Sequence, residues 1–396
     1  MRHRGLVIVD THPVQYRAPL YRVLKREFQV PLTVIYGSNF SMRNGYDPEF
    51  KAAFSWDVDL LSGYESVFLP DSERNVDSIS KISTKGLSAV LKKINPRAVL
   101  LIGYSPHFHL AAFWSSIRMG APVLFRGEAT DHAVRRNPAK ALFRDLFLTA
   151  FYARCFRVLY AGRRYYEHFK RFRIPERKLI FSPYCVDTSF FHLDSVERKK
   201  SRGQIRAEHH INDKETVILF SGKLSHRKSP DLLVEAVRRM PDSLRNRMRI
   251  LFMGEGELRD ELQKLAGTLP KVQAEFVGFK NQTQISDYYC AADMLVLPSC
   301  YGETWGLVVN EALHHGIPAV VSDAVGCAPD LIENGKTGER FETGSATDLA
   351  QAIIRAMELI QNPETAERCR AQVNRYSVYR AAEGIARAYQ QAIAMQ

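Results

Sequence analysis

The chain has 396 residues, with 55 lysines and arginines against 43 acids for a formal charge of +12, and it is 45% apolar and 25% charged. That length exceeds what one hydrophobic core organises, so two α/β domains are predicted, and the composition excludes a disordered chain. No apolar run approaches the roughly 18 residues of a spanning helix; the basic balance favours anionic partners, but zinc-finger and ribonucleoprotein spacings are missing, which excludes a sequence-reading nucleic-acid binder.

Residues 1–4 lead into an apolar run at 6–9 that is too short for the apolar part of a signal peptide. The six cysteines form no C-x-x-C pair and no metal-ligand spacing, so they read as reduced thiols and a cytoplasmic setting is expected. Strand-like runs at 5–10, 30–36, 98–102, 122–125 and 158–160 alternate with amphipathic helical stretches at 18–27, 79–94, 108–119 and 139–153. This is the pattern of a parallel sheet covered by helices. Between 190 and 216 the chain turns polar and charged, which divides it into an N-terminal domain at 1–192, a linker at 193–213 and a C-terminal domain at 214–375, with a closing helix at 376–396. In the second domain strands are expected at 217–221, 250–253, 274–277, 294–297 and 319–321, and helices at 230–240, 257–266, 285–292 and 307–315. Ligands of doubly wound sheets bind beyond the carboxyl ends of the strands, so the residues there carry the functional reading.

After the first strand of the second domain, Gly222, Lys223 and Lys228 precede a helix, and each lysine reads equally as a surface cation or as a phosphate ligand. Gly254-Glu255-Gly256 follows the next strand and lacks the last glycine of a dinucleotide fingerprint. The strand at 294–297 runs into Pro298-Ser299, a turn with Glu303 and Gly306, and a helix opening at Leu307 with Glu311 one turn inside. The first amides of that helix are free donors, and Gly306 lets a phosphate approach the backbone. Singly, the glutamates read as solvated surface residues. Together with the basic loop they suit a departing phosphate and the hydroxyls of sugar and ribose.

In this order, Gly222-Lys223 with Lys228, Gly254-Glu255-Gly256, Phe276-Val277-Gly278, Ala292-Asp293-Met294, Pro298-Ser299 and two glutamates seven residues apart make the second half similar to the retaining glycosyltransferases of family 4. The resemblance implies the GT-B fold, two doubly wound Rossmann-like domains facing across a cleft. It implies transfer from a nucleotide-diphosphate sugar to a glycan or lipid-linked acceptor, as in surface polysaccharide or glycolipid assembly, without cofactor or metal. By resemblance, Lys223 and Lys228 hold the diphosphate beside Gly222 and Gly254, Glu303 contacts the donor sugar, and Gly306, Leu307 and Val308 present amides. Glu311 binds the ribose, and the backbone around Phe279 touches the base. Rivals on the same fold are a sugar-nucleotide epimerase or hydrolase and a non-catalytic nucleotide-binding partner. Lys223 stands where many relatives have arginine, exchanging a bidentate fork for a point charge.

The first half departs from that pattern. His12-Pro13-Val14-Gln15-Tyr16 replaces a glycine pair; His12 and Gln15 are placed to reach across the cleft, and helix capping is an equal reading of His12. Glu128 or His132 is the candidate for the histidine that the family places beyond a middle strand, whereas His107 and His109 read as structural. Asp57-Val58-Asp59 has the spacing of a metal site in another glycosyltransferase fold, and alternation would put both aspartates on the solvent face of a short strand. Finally, basic residues from 135 to 178 interleave with Leu142, Phe143, Leu146, Phe147, Ala150 and Phe151 at helical spacing. These are either an ordinary sheet-covering helix or a face that lies on an anionic membrane surface.

Overall fold

In the computed structural model, residues 5–42, 45–47, 52–54, 56–73, 82–127, 130–131, 137–192 and 194–395 are described. The first half contains β1 (Leu6–Asp10), β2 (Leu32–Tyr36), a short antiparallel pair β3 (Gly45–Asp47) and β4 (Ala52–Phe54), β5 (Glu65–Phe68), β6 (Ala98–Leu101), β7 (Val123–Phe125), β8 (Arg157–Tyr160) and β9 (Leu179–Phe181). Seven of these form a parallel sheet in the order β5-β2-β1-β6-β7-β8-β9. The second half adds β10 (Thr216–Ser221), β11 (Met248–Met253), β12 (Gln273–Gly278), β13 (Met294–Leu297), β14 (Ala319–Ser322) and β15 (Gly338–Phe341), parallel in the order β12-β11-β10-β13-β14-β15. Central strands such as β1 and β11 are buried at every position, as helices on both faces require, and so they read as nearly continuous apolar runs, broken only by Asp10 and Arg249. In both sheets the winding reverses beside the first strand, between β1 and β6 and between β10 and β13. A crevice opens at each switch point.

Several elements differ from the sequence reading. Of the helix expected at 79–94, residues 79–81 lie outside the described residues, and in the rest the helix is Leu87–Ile94, because the chain enters it through Gly86 at φ +82°, a left-handed geometry that a helix interior does not contain. The stretch expected to be a linker is mostly a helix, Ser195–Glu208, whose Asp194 cap accepts from the amides of Val196 (2.8 Å) and Glu197 (3.2 Å). Its charges are what dock it on the second domain: Arg202 and Arg206 each reach Asp293 at 2.7 Å. The closing helix, Val378–Ile393, crosses back to the first domain, where Ala381, Ile385 and Ala388 are buried with Leu20, Tyr21 and Leu24. Gly384 permits that contact, since a Cβ there would lie 2.1 Å from the Phe181 carbonyl oxygen. Both chain crossings therefore lie beside β9, at one end of the cleft.

Candidate active site

The site is built on three strand tips without side chains. Gly222 follows β10 at φ +146° and donates to the Met253 carbonyl (2.9 Å), and Gly254 follows β11 at φ +148° and donates to the Gly278 carbonyl (2.9 Å). A Cβ on Gly254 would sit 2.0 Å from the Gly222 oxygen, so the two turns can touch only as glycines. The loop after Gly222, with Lys223 half-buried at its start, folds back to bring Lys228 over the same floor; a Cβ on Gly222 would be 4.0 Å from Lys228 Nζ.

Across the switch point, the loop after β13 brings Glu303 to Lys228. The ammonium donates to Glu303 Oε2, Ser299 Oγ donates to the same oxygen at 3.0 Å, and Arg227 Nη1 lies 3.6 Å away. Lys228 and Glu303 are only 9% and 8% exposed. Burial opposes the charge on Glu303, but Lys228, Arg227 and Ser299 outweigh it and hold the carboxyl below its ordinary range.

Three residues further on, Gly306 at φ +98° turns the chain into the helix Leu307–His314. Leu307 and Val308 supply its first amides, which have no intrahelical acceptor. Trp305 is fixed just before this turn by donation from Nε1 to Asn310 Oδ1 (2.8 Å) and by ring contacts with Tyr184 and Tyr376. Glu311 lies beneath, where Tyr289 Oη donates to Oε2 at 2.6 Å; burial pushes its carboxyl up to about 7. Arg227, Ser299, Trp305 and Tyr289 were not singled out from the sequence. Ser299 is marked by its place after a strand and by the Pro298-Ser299 motif but without a role, and Tyr289, on the helix Ile285–Ala291, has no local signal at all.

The first domain contributes His12 and Gln15 beyond β1. The helix Ala18–Arg26 has no side-chain cap, so His12 does not cap it; its ring meets Thr11 Oγ1 at 3.0 Å, and burial with nearby Arg17 lowers its pKa to about 4. Gln15 Oε1 is buried without a hydrogen-bond partner. Glu128 and His132 lie outside the described residues. His109 is buried with Nδ1 2.9 Å from the Ser105 carbonyl oxygen, a structural role, while His107 opens the helix His107–Arg118. Asp57 and Asp59 stand in a turn and not in a strand. Asp59 accepts from the amides of Leu61 (2.9 Å) and Ser62 (3.0 Å), and Asp57 bonds to Thr283 of the second domain. Among the described residues no cluster of three or more histidines, cysteines or acids suits a metal.

The helix Pro138–Arg154 packs Leu148, Phe151 and Tyr152 on the sheet but leaves Leu142, Phe143, Leu146 and Phe147 exposed by 61, 74, 61 and 39%. Phe151 thus belongs to the core-facing side, contrary to its grouping with the other five. Among the described residues, no helix is long and apolar enough to cross a membrane.

Two Rossmann-like sheets facing across a cleft, with the phosphate-type turns in the second, define the GT-B fold. Residues 201–375 match the family model of glycosyl transferases group 1. Sulfoquinovosyl transferase SQD2 of Arabidopsis thaliana is 33% identical over 154 residues, 38% of this chain and 28% of that protein. D-inositol 3-phosphate glycosyltransferase of Mycobacteroides abscessus is 36% identical over 154 residues, 37% of this chain and 33% of its own. The chain thus spans about a third of the length of these two relatives. Over the whole fold it is similar to Anabaena Alr3699/HepE in complex with UDP and glucose, with a TM-score of 0.72 at 16% identity, covering 98% of this chain and 100% of that one. It is also similar to WaaG, a glycosyltransferase involved in lipopolysaccharide biosynthesis, with a TM-score of 0.63 at 16% identity over 97% and 99% of the two chains.

Proposed function

We propose that the protein is a retaining, family 4 glycosyltransferase that moves a sugar from a nucleotide-diphosphate donor to a glycan or lipid-linked acceptor in surface polysaccharide or glycolipid assembly. The observation that carries this reading is the buried Lys228–Glu303 pair, set at the switch point between the glycine floor and the helix start at Gly306. The diphosphate lies on Gly222 and Gly254 against Lys228 and Lys223, with the amides of Leu307 and Val308 pointing at it. Glu303 takes a hydroxyl of the donor sugar and Glu311 those of the ribose, and the base lies by Phe279. The bond from the anomeric carbon to the phosphate oxygen breaks, and its electron pair passes to that oxygen, where the protein cations stabilise it. The acceptor oxygen bonds to the anomeric carbon on the same face, and its proton passes to the departing phosphate. Products are a nucleoside diphosphate and a glycoside of retained configuration, and neither cofactor nor metal enters the scheme. His12, neutral at pH 7, and Gln15 line the acceptor side.

The lipid-linked acceptor is favoured by the exposed apolar face at Leu142, Phe143, Leu146 and Phe147, with exposed Lys140 and Arg154 on the same helix. An apolar face flanked by bases on a chain of charge +12 suits the anionic inner face of a cytoplasmic membrane. The structure of Anabaena HepE with UDP and glucose supports a nucleotide-sugar donor, and the role of WaaG supports a surface-glycan product.

The test follows release of nucleoside diphosphate by the purified protein from a panel of nucleotide sugars, with and without lipid-linked sugars. Release that requires acceptor is expected. Release independent of acceptor would favour a hydrolase or an epimerase, and failure to bind any nucleotide would favour a non-catalytic partner.

A further inference from the structure

The two ends of the cleft are bridged in different ways. At the β8–β9 end, beside the chain crossings, the contacts are many: the Arg163 amide donates to Asp330 (2.9 Å), Tyr165 Oη to the Thr304 carbonyl (3.0 Å), and Arg164 to the Asp323 carbonyl (2.5 Å), while Tyr184 packs on Trp305. At the far end, where β5 and β12 are the edge strands, the segment 56–64 reaches across. It is rooted in the first domain by buried Leu60 and Tyr64, whose hydroxyl meets that of Tyr36 at 2.8 Å. At its tip the Trp56 and Phe279 rings stand 6.4 Å apart at 61°, and Asp57 Oδ2 accepts from both the amide (3.2 Å) and the hydroxyl of Thr283.

We infer that Trp56 and Asp57 form a cross-domain latch over the base end of the donor, so that the first domain takes part in choosing the nucleotide base. This rests on the donor reading, which places the base by Phe279. Asp57 and Thr283 are both exposed, so the bond between them is weak enough to open for donor entry and re-form behind it. It sits opposite the chain crossings, where a small rotation of one domain moves the edges farthest. Trp56 then adds an aromatic edge to the wall of the base site, a contact that bases of different size and polarity satisfy unequally.

The test compares wild type, Asp57→Ala, Asp57→Asn and Trp56→Ala by calorimetry with UDP, ADP and GDP, and by steady-state kinetics with the best donor. Asp57→Ala should raise donor KM about two- to fivefold, the effect of one exposed bond to a charged group, with kcat within about twofold. Asp57→Asn keeps an oxygen for Thr283 and should behave much as wild type; a loss as large as in Asp57→Ala would overturn the latch. Trp56→Ala should narrow the spread of affinities among the three diphosphates. Unchanged affinity and selectivity in both alanine variants, with binding still lost in Lys228→Ala, would overturn the latch and leave the donor reading standing. Wild type that binds none of the diphosphates would overturn both.

Discussion

Lys228 and Glu303, 75 residues apart in sequence, form a buried ion pair that joins the loop after β10 to the loop after β13. The pair fixes the geometry of the crevice and also supplies the cation and the carboxylate that sugar transfer needs.

Lys228→Met should therefore have two separable effects. Turnover should fall by 10²-fold or more, about 3 kcal/mol of lost charge stabilisation at the leaving phosphate. The folded state should also lose about 2 to 4 kcal/mol, because Glu303 keeps its burial with only Arg227 and Ser299 to support it. The double variant Lys228→Met with Glu303→Gln should recover stability in denaturant titration without recovering activity. Near-normal turnover of the single variant at saturating donor would remove Lys228 from the mechanism.

Glu311 predicts a pH dependence of stability. Its carboxyl is raised from 4.5 to about 7 in the folded protein, chiefly by burial. A raised folded pKa means a contribution fully present below the unfolded value and lost as pH rises through the folded one, here between about pH 4.5 and 7. The neutral Glu311→Gln variant should thus gain on wild type across that window, by about 3 kcal/mol at pH 8 relative to pH 4.5. Melting of both proteins without nucleotide, from pH 4.5 to 8, checks this. Parallel curves would place the titration elsewhere.

The same substitution bears on the donor. Glu311→Gln should weaken binding of a nucleoside diphosphate by about five- to tenfold, whereas Glu303→Ala, which loses a sugar contact, should bind the sugar-free diphosphate more tightly than Glu311→Gln does. Calorimetry gives the order directly, and the reverse order would exchange the two assignments.

Gly254 and Gly120 both have positive φ, but they should respond differently to alanine. A Cβ on Gly254 would meet the Gly222 oxygen at 2.0 Å, whereas nothing lies within 4 Å of one on Gly120. Gly120→Ala should cost about 1 kcal/mol from backbone strain alone, while Gly254→Ala should cost about 3 kcal/mol or more and weaken donor binding as well. Equal melting temperatures for the two variants would contradict the close approach.

For the exposed helix face, Phe143→Asp with Leu146→Asp should abolish sedimentation with anionic vesicles while leaving the melting temperature and nucleotide binding unchanged, since both side chains face solvent. Withdrawing two such side chains from a bilayer interface removes about 3 kcal/mol or more, at least a hundredfold in partitioning. Binding of wild type should also fall steeply with salt. Equal recovery of wild type in the supernatant with anionic and neutral vesicles would point to a freely diffusing acceptor.

The sequence by itself determined the alternation of strands and helices, the two sheets and the turns that carry Gly222, Lys228, Glu303 and Gly306. These depend on local periodicity and on residues that stand just after a strand, where a parallel sheet always opens its crevice. Only the tertiary structure decided which of these residues meet. The pairing of Lys228 with Glu303, of Tyr289 with Glu311 and of Asp57 with Thr283 joins positions from 22 to 226 residues apart. It also decided that the charged stretch 195–208 is a docked helix, because its arginines find Asp293, and that Leu142, Phe143, Leu146 and Phe147 face outward while Phe151 faces the sheet. An amphipathic pattern shows that a helix has an apolar side. Which surface that side meets depends on where neighbouring elements pack, and local periodicity does not encode it.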